Sequence, residues 1–182
     1  MGPEPYKSPW HWTVVVLLLC ETLGCATVDV ESLDDREVLG IVVGRGDAGT
    51  VERTLGSSSC HFKDDSGKII SFFYRFNSSH DGAFLRIEVG DQVDAITLSM
   101  EPPITGYCYA PLGPNKQPRT GKGLQLGDDE STVIQLYGRP TERFEVGPFT
   151  RFRHQSVRDR VYEWDLLFRH GHLLEWTVST EE

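Results

Sequence analysis

Gly123-Leu124-Gln125-Leu126-Gly127 and Gly40-Ile41-Val42-Val43-Gly44 are the two stretches from which our fold prediction starts. In both, the two glycines lie four positions apart, and an aspartate and a Thr-Val pair follow. Another glycine, Gly56 or Gly138, then comes five positions after that valine. Self-similarity with a period of roughly 80 residues predicts a duplicated unit, because a repeated pattern marks a repeated structural element.

A short helix is predicted in each copy, after Asp47 in the first and after Asp128 in the second. An aspartate at this position accepts hydrogen bonds from free amides of the first helical turn. Apolar residues follow at helical spacing, and Gly56 and Gly138 suit the position just after a last turn. Each helix has only two or three turns, so we expect it to depend on packing against a sheet.

Apolar runs predict the antiparallel strands of each copy. They cover residues 68–76, 84–89 and 93–100 in the first copy and 149–152, 161–169 and 173–179 in the second. Alternation within them indicates one buried and one solvated face. We therefore predict an α+β fold of two tandem units, each a short helix packed on a small antiparallel sheet.

The predicted units occupy residues 37–100 and 122–182. Residues 101–121 between them carry five of the ten prolines and predict a linker without regular structure. This linker is either a solvated connector or a loop that contacts a partner.

The first 26 residues predict an export signal, because Lys7 precedes a short apolar run from Trp12 to Leu19. Thr22-Leu23-Gly24-Cys25 resembles a bacterial lipobox, which predicts lipidation of Cys25. Two alternatives stay open, namely cleavage after Ala26 as a soluble secreted protein and a cytosolic protein with a misleading start. Residues 27–36 are acidic and predict a tether to the folded part.

Net charge and cysteine content narrow the possible roles. The formal net charge of −9 disfavours nucleic-acid binding. Cys60 and Cys108 remain after processing, and in an oxidising envelope they can form a disulfide, although two unpaired thiols are the alternative.

No catalytic residue, cofactor site or metal site is predicted. His170-Gly171-His172 is the most metal-like feature, but no acidic or cysteine ligand lies at a supporting spacing. The first two residues of this motif, His170 and Gly171, instead fit a two-residue hairpin turn. Adjacent carboxylates such as Asp34-Asp35 fit tether charge better than an acid–base pair.

Four residues are candidates for partner binding: Arg151, Arg153, Trp164 and Trp176. The arginines belong to a basic stretch that either forms a polar strand face or docks an acidic partner or an anionic lipid headgroup. The tryptophans are expected in the core, and a binding face is the alternative.

The pattern from Gly123 to Pro140 resembles the opening of the SmpA/OmlA-type small envelope lipoproteins. Its glycines, Asp128, Val133 and Leu136 carry the likeness, and residues 40–56 match it more loosely, without the proline. The same unit occurs in tandem in the beta-lactamase inhibitory proteins. The resemblance implies an α+β unit, an envelope or extracellular location, and non-enzymatic work through protein contact.

We therefore expect a non-catalytic bacterial envelope lipoprotein, at the outer membrane or in the periplasm, that binds or scaffolds another protein. Its expected partners are another envelope or extracellular protein and the membrane, reached through the lipid on Cys25. A secreted inhibitor of an enzyme is the alternative function, and an unrecognised hydrolase is a third.

Overall fold

The computed structural model describes residues 35–76, 82–157 and 160–181 of the 182-residue chain. The predicted export signal, Cys25 and the tether up to residue 34 lie outside these ranges. Within these ranges, two helices and eleven strands follow one another: β1 Glu37–Val38, β2 Ile41–Val42, α1 Ala48–Leu55, β3 His61–Lys63, β4 Ile69–Arg75, β5 Phe84–Val89, β6 Val93–Ser99, β7 Ala110–Pro111, α2 Glu130–Tyr137, β8 Glu142–Val146, β9 Phe149–Val157, β10 Val161–Arg169 and β11 His172–Thr180.

Both helices begin at a capping aspartate. The Asp47 carboxylate accepts a hydrogen bond from the Thr50 amide at 2.8 Å, which confirms the first predicted cap. The second cap is Asp129, which accepts from the Thr132 amide at 2.7 Å. The prediction of Asp128 as the cap was wrong by one residue, because the Asp128 carboxylate accepts from the Gln125 amide instead.

One large sheet dominates the fold. Its strands lie in the order β3-β4-β5-β6-β11-β10-β9-β8, and β7 pairs in parallel with the end of β4. Strands β3 to β6 form one antiparallel meander and β8 to β11 form another. The last strands of the two meanders, β6 and β11, pair antiparallel from Ala95 opposite Ser179 to Ser99 opposite Glu175.

This pairing corrects the predicted fold class. Strands hold 46% and helices 11% of the described residues, so the fold is mostly antiparallel sheet rather than two helix-on-sheet units. Separate sheets would each have left the edge of a final strand unpaired, and the β6–β11 ladder satisfies the backbone groups of both edges. Helix, then four strands, does recur along the chain, but the two sets of strands share one sheet.

The helices and the β1–β2 hairpin cover one face of this sheet, which we call the inner face. Val51 of α1 and both Val133 and Tyr137 of α2 are buried there with the alternate residues of the central strands. These residues form one hydrophobic cluster that extends across both meanders. Burial of apolar surface on this scale is the main contribution to folding stability.

A polar group at the start of the described chain is embedded in the same core. Asp35 is buried, and its carboxylate accepts hydrogen bonds from the Tyr137 hydroxyl and the Lys122 amide. The Tyr137 hydroxyl also lies 3.0 Å from the Thr120 hydroxyl. The Asp35 carbonyl accepts from the Trp164 indole N–H at 2.8 Å. Asp35, proposed from the sequence as tether charge, thus connects the segment before β1 to α2 and β10.

Candidate partner-binding face

The face of the sheet opposite the helices, which we call the outer face, is built from the residues that alternate with the core positions. The strand registers place Glu163, Asp165 and Leu167 of β10 on it, beside Arg151 and Arg153 of β9. They also place Thr97 of β6 opposite Thr177 of β11 at the centre of the sheet. The hydroxyl of Thr177 donates to that of Thr97 at 3.1 Å, so small polar side chains line the middle of this face.

Over strands β3 to β5 the outer face is covered by the chain itself. Residues 101–112, which we call the strap, run from the end of β6 to β7 and lay two tyrosines on this part of the sheet. The ring centroids of Tyr107 and Phe73 lie 4.9 Å apart, and those of Tyr109 and Phe84 lie 4.8 Å apart. Phe73 is therefore fully buried although it is on the outer face.

A disulfide fastens this strap to the sheet. Cys60 and Cys108 are joined, with their Cα atoms 5.4 Å apart. The Cys60 carbonyl accepts a backbone hydrogen bond from Phe73, and the Tyr107 hydroxyl donates to the His61 carbonyl at 2.9 Å. The first half of the predicted linker is therefore a fixed part of the fold.

Over strands β8 to β10 the outer face is open within the described chain. A groove of about 380 Å³ lies there, lined by Phe144, Val146, Phe149, Arg151, Arg153 and Leu167. We call it the β8–β10 groove. Phe144 is 49% exposed, Val146 75% and Phe149 37%, so three large apolar side chains of adjacent strands are in contact with solvent. Clustered exposed apolar side chains of this kind are typical of interaction surfaces.

The two arginines of the groove are already paired with carboxylates. Arg151 Nε lies 2.6 Å from Asp165 Oδ1, and this hydrogen bond raises the pKa of Arg151. Arg153 lies 3.2 Å from a Glu142 oxygen and 3.1 Å from a Glu163 oxygen. The arginines thus border the groove with mixed charge, and they do not form the basic patch that docking of an acidic partner or a lipid headgroup requires.

Glu175 adds a further carboxylate to the outer face, at the seam between the two meanders. Burial raises its pKa, partly offset by a hydrogen bond with Ser99. Burial likewise raises the pKa of Glu163. With Glu142 and Asp165, the carboxylates around the groove outnumber its arginines, which favours a neutral or basic partner surface over an acidic one.

The two tryptophans lie elsewhere. Trp164 and Trp176 are 0% exposed and belong to the inner-face core, as favoured from the sequence, so the alternative that they contact a partner was wrong. Adjacent strands bring them together there, with Trp176 opposite Leu166 and Trp164 opposite Val178. They are buried because the helices and the β1–β2 hairpin cover the inner face. The strand alternation assigns both tryptophans to one face of the sheet, but it does not show which face is covered.

The sequence reading missed the exposed apolar residues of the groove. Phe144 and Val146 lie on β8, a strand that was not predicted because three of its five residues are charged. The alternation Glu142, Phe144, Val146 against Arg143 and Glu145 was the available signal. Phe149 was predicted as the start of a strand, but its exposure depends on what covers the sheet.

The histidines and the other possible metal ligands do not form a cluster within the described residues. His170 and Gly171 form the turn between β10 and β11, both with positive φ, which confirms the predicted hairpin. Across the described ranges, no three His, Cys, Asp or Glu side chains lie together in a way that could hold a metal ion.

In the same ranges, neither helix has the length and apolar character needed to cross a membrane.

Comparisons with known proteins identify no family for this chain and a distant structural neighbour. No protein-family model matches the sequence. No curated protein matches it. Among solved structures, the chain is similar to that of a DUF4309 family protein, YjgB, from Bacillus subtilis subsp. subtilis strain 168, with 12% identity and a TM-score of 0.43 over 78% of this chain and 83% of that one. None of this concerns SmpA/OmlA-type modules, so that resemblance stays a prediction.

Proposed function

We propose that this chain is a non-catalytic, protein-binding module of the bacterial envelope that holds a partner protein against the β8–β10 groove. The observation that supports this role is the unequal covering of one sheet face. The strap buries Phe73 and packs against Phe84 and Phe62 on the outer face of the first meander, although Phe62 stays 36% exposed. Within the described chain, no such segment lies over Phe144, Val146 and Phe149 of the second meander.

The groove has the composition of a small protein interface. Apolar side chains occupy its floor, and paired charges lie around them at Arg151–Asp165 and Arg153–Glu142. Protein interfaces combine an apolar centre with a polar rim, and a few central aromatic residues contribute most of the affinity. The charged residues of these pairs can also interact with charges of a partner protein. Such contacts fix the orientation of the partner more than they raise its affinity.

Two exposed apolar residues provide a matched test of this role. Phe149 in the groove and Ile134 on α2 are 37% and 36% exposed, but they lie on opposite sides of the sheet. Proteins recovered with the tagged wild type from the native envelope are compared with those recovered with Phe149→Asp and with Ile134→Asp. The protein that disappears with Phe149→Asp is then purified for affinity measurement.

We expect Phe149→Asp to weaken that complex by about 30-fold or more, because loss of a central aromatic contact costs at least about 2 kcal/mol. Ile134→Asp should leave the affinity unchanged. Equal binding by both folded variants would contradict the proposal. Mass spectrometry of the mature N-terminus tests the location, since lipid on Cys25 distinguishes an anchored lipoprotein from a secreted form.

If the partner is an enzyme whose activity falls on binding, the alternative role as a secreted inhibitor applies to the same groove. The inhibitor role and the scaffolding role therefore differ in the identity of the partner and in the lipid on Cys25, not in the surface used.

A further inference from the structure

The two ends of the large sheet differ in how their edges are protected. At one end, β3 has three residues and a register shift between Phe62 and Lys63, and the Tyr107 ring lies 4.4 Å from that of Phe62. At the other end, β8 has five residues paired with β9 in continuous register. All five are exposed, and no other strand of the described chain pairs with β8. A regular, uncovered edge strand is a template for another strand.

The side chains of β8 are complementary to those of a second, antiparallel copy of the same strand. Glu142, Phe144 and Val146 point to the outer face, and Arg143 and Glu145 point to the inner face. When two copies pair with Phe144 opposite Phe144, Arg143 of each copy lies opposite Glu145 of the second copy. Opposite charges and aromatic pairs facing each other across strands stabilise a sheet.

Other registers of the same pairing are unfavourable. A shift that centres the pair on Arg143 places the two arginines opposite each other, and a shift centred on Glu145 does the same with two carboxylates. Like charges directly opposite each other destabilise a strand pair. An offset of one residue would turn the outer face of one copy toward the side of the other copy's helices. Charge and alternation together thus select the register centred on Phe144.

We propose that β8 pairs with β8 of a second copy of this chain, giving a two-fold dimer with one sheet continuous across both copies. The pairing leaves both outer faces on the same side, so the two β8–β10 grooves meet at Phe144. A five-residue edge is short compared with the roughly 1,600 Å² of a standard interface, so the dimer dissociates reversibly on dilution.

The dimer is tested by sedimentation velocity of the full purified chain over a wide concentration range. The wild type should shift from monomer to dimer as concentration rises, and added salt should weaken this association because it screens the Arg143–Glu145 pairs. R143E and E145R each place like charges opposite each other twice. Each should raise the dimer dissociation constant by about tenfold or more.

The double variant R143E/E145R restores opposite charges across the two-fold axis and should recover dimerisation to near the wild-type level. Circular dichroism establishes that each variant is folded. Arg143 also contacts Glu145 of its own copy at 2.7 Å and Glu130 at 3.1 Å, so hydrogen exchange of β8 at concentrations where the chain is monomeric separates loss of this strand from loss of the pairing between copies. A wild type that stays monomeric at every concentration would overturn the proposal, as would a dimer that R143E leaves intact or a folded double variant that stays monomeric. The groove's role in binding another protein is tested separately at Phe149, which lies on β9 and outside the β8–β8 pair.

Discussion

His154 is a polar side chain inside the inner-face core, 1% exposed and 6.3 Å from the Tyr137 ring. Its neighbour Arg153 points to the outer face, so a single step along β9 separates a buried from a solvated group. Burial lowers the pKa of His154 from 6.5 to about 4, because the core disfavours the charged ring. In the sequence His154 belongs to a basic stretch, but in the folded protein it is a neutral core residue.

This pKa predicts acid sensitivity. The unfolded chain binds a proton at His154 near pH 6.5 and the folded chain only near pH 4, so stability falls as pH drops through this window. The loss amounts to about 3 kcal/mol below pH 4. The free energy of unfolding, measured by denaturant titration from pH 7 to 4, should fall less steeply in His154→Gln than in the wild type.

His170→Gln is the control for this measurement, because it removes a histidine from an exposed turn and leaves the core histidine in place. The same loss of stability in the wild type and His154→Gln would show that His154 does not titrate in the core.

Residue-level prediction from the sequence succeeded where the information is local. The alternation of Tyr162, Trp164, Leu166 and Phe168 correctly placed these residues on one face of β10. Trp164 lies in the core, as favoured, and its alternative as a partner-binding residue was wrong. The sequence left that alternative open because burial depends on distant segments. The Trp164 indole bonds to Asp35, which lies 129 residues away in the chain.

At the scale of elements, β5 and β10 have the predicted bounds. Helix α1 follows the predicted aspartate, Asp47, and α2 follows Asp129, one residue after the predicted one. Strands β3 and β8 were missed because they are short or charged, so they lack the apolar run used to predict strands. The β6–β11 pairing was missed for another reason. It joins segments about 80 residues apart, and strand pairing over that distance leaves no local pattern in the sequence.

The strap is the element whose stability can be tested most simply. The Cys60–Cys108 disulfide spans 48 residues, and a loop of this size contributes about 2–4 kcal/mol by restricting the unfolded chain. Replacing both cysteines with serine should lower the free energy of unfolding by that amount. Hydrogen exchange should also rise within residues 101–112, because only ring contacts and a few hydrogen bonds would then hold the strap.

Reductant should destabilise the wild type by a similar amount and leave the double-serine variant unchanged. If removing both cysteines altered neither the stability nor the exchange of the strap, the disulfide would not be what fixes it.

At the scale of the whole molecule, the helices and the β1–β2 hairpin cover the inner face of the central strands, whereas the strap covers the outer face over only one meander. The apolar residues Phe73 and Phe84 lie under the strap, while Phe144 and Phe149 have no such cover among the described residues. A helix followed by four strands occurs twice among the described residues, but the predicted repeat gave no indication that the two sets of strands share a sheet. The open half of the outer face is therefore a conclusion from the structure alone.

The central claim, that a partner protein occupies the open half of the outer face, is tested most directly by photocrosslinking in cells that make the protein naturally. A benzophenone amino acid replaces Phe149 in one strain and Ile134 in another, two positions of nearly equal exposure. The account predicts a covalent adduct with a different protein from position 149 and none from position 134, with mass spectrometry distinguishing that adduct from a crosslinked second copy. Adducts from position 134 alone, or the same adduct from both positions, would contradict it.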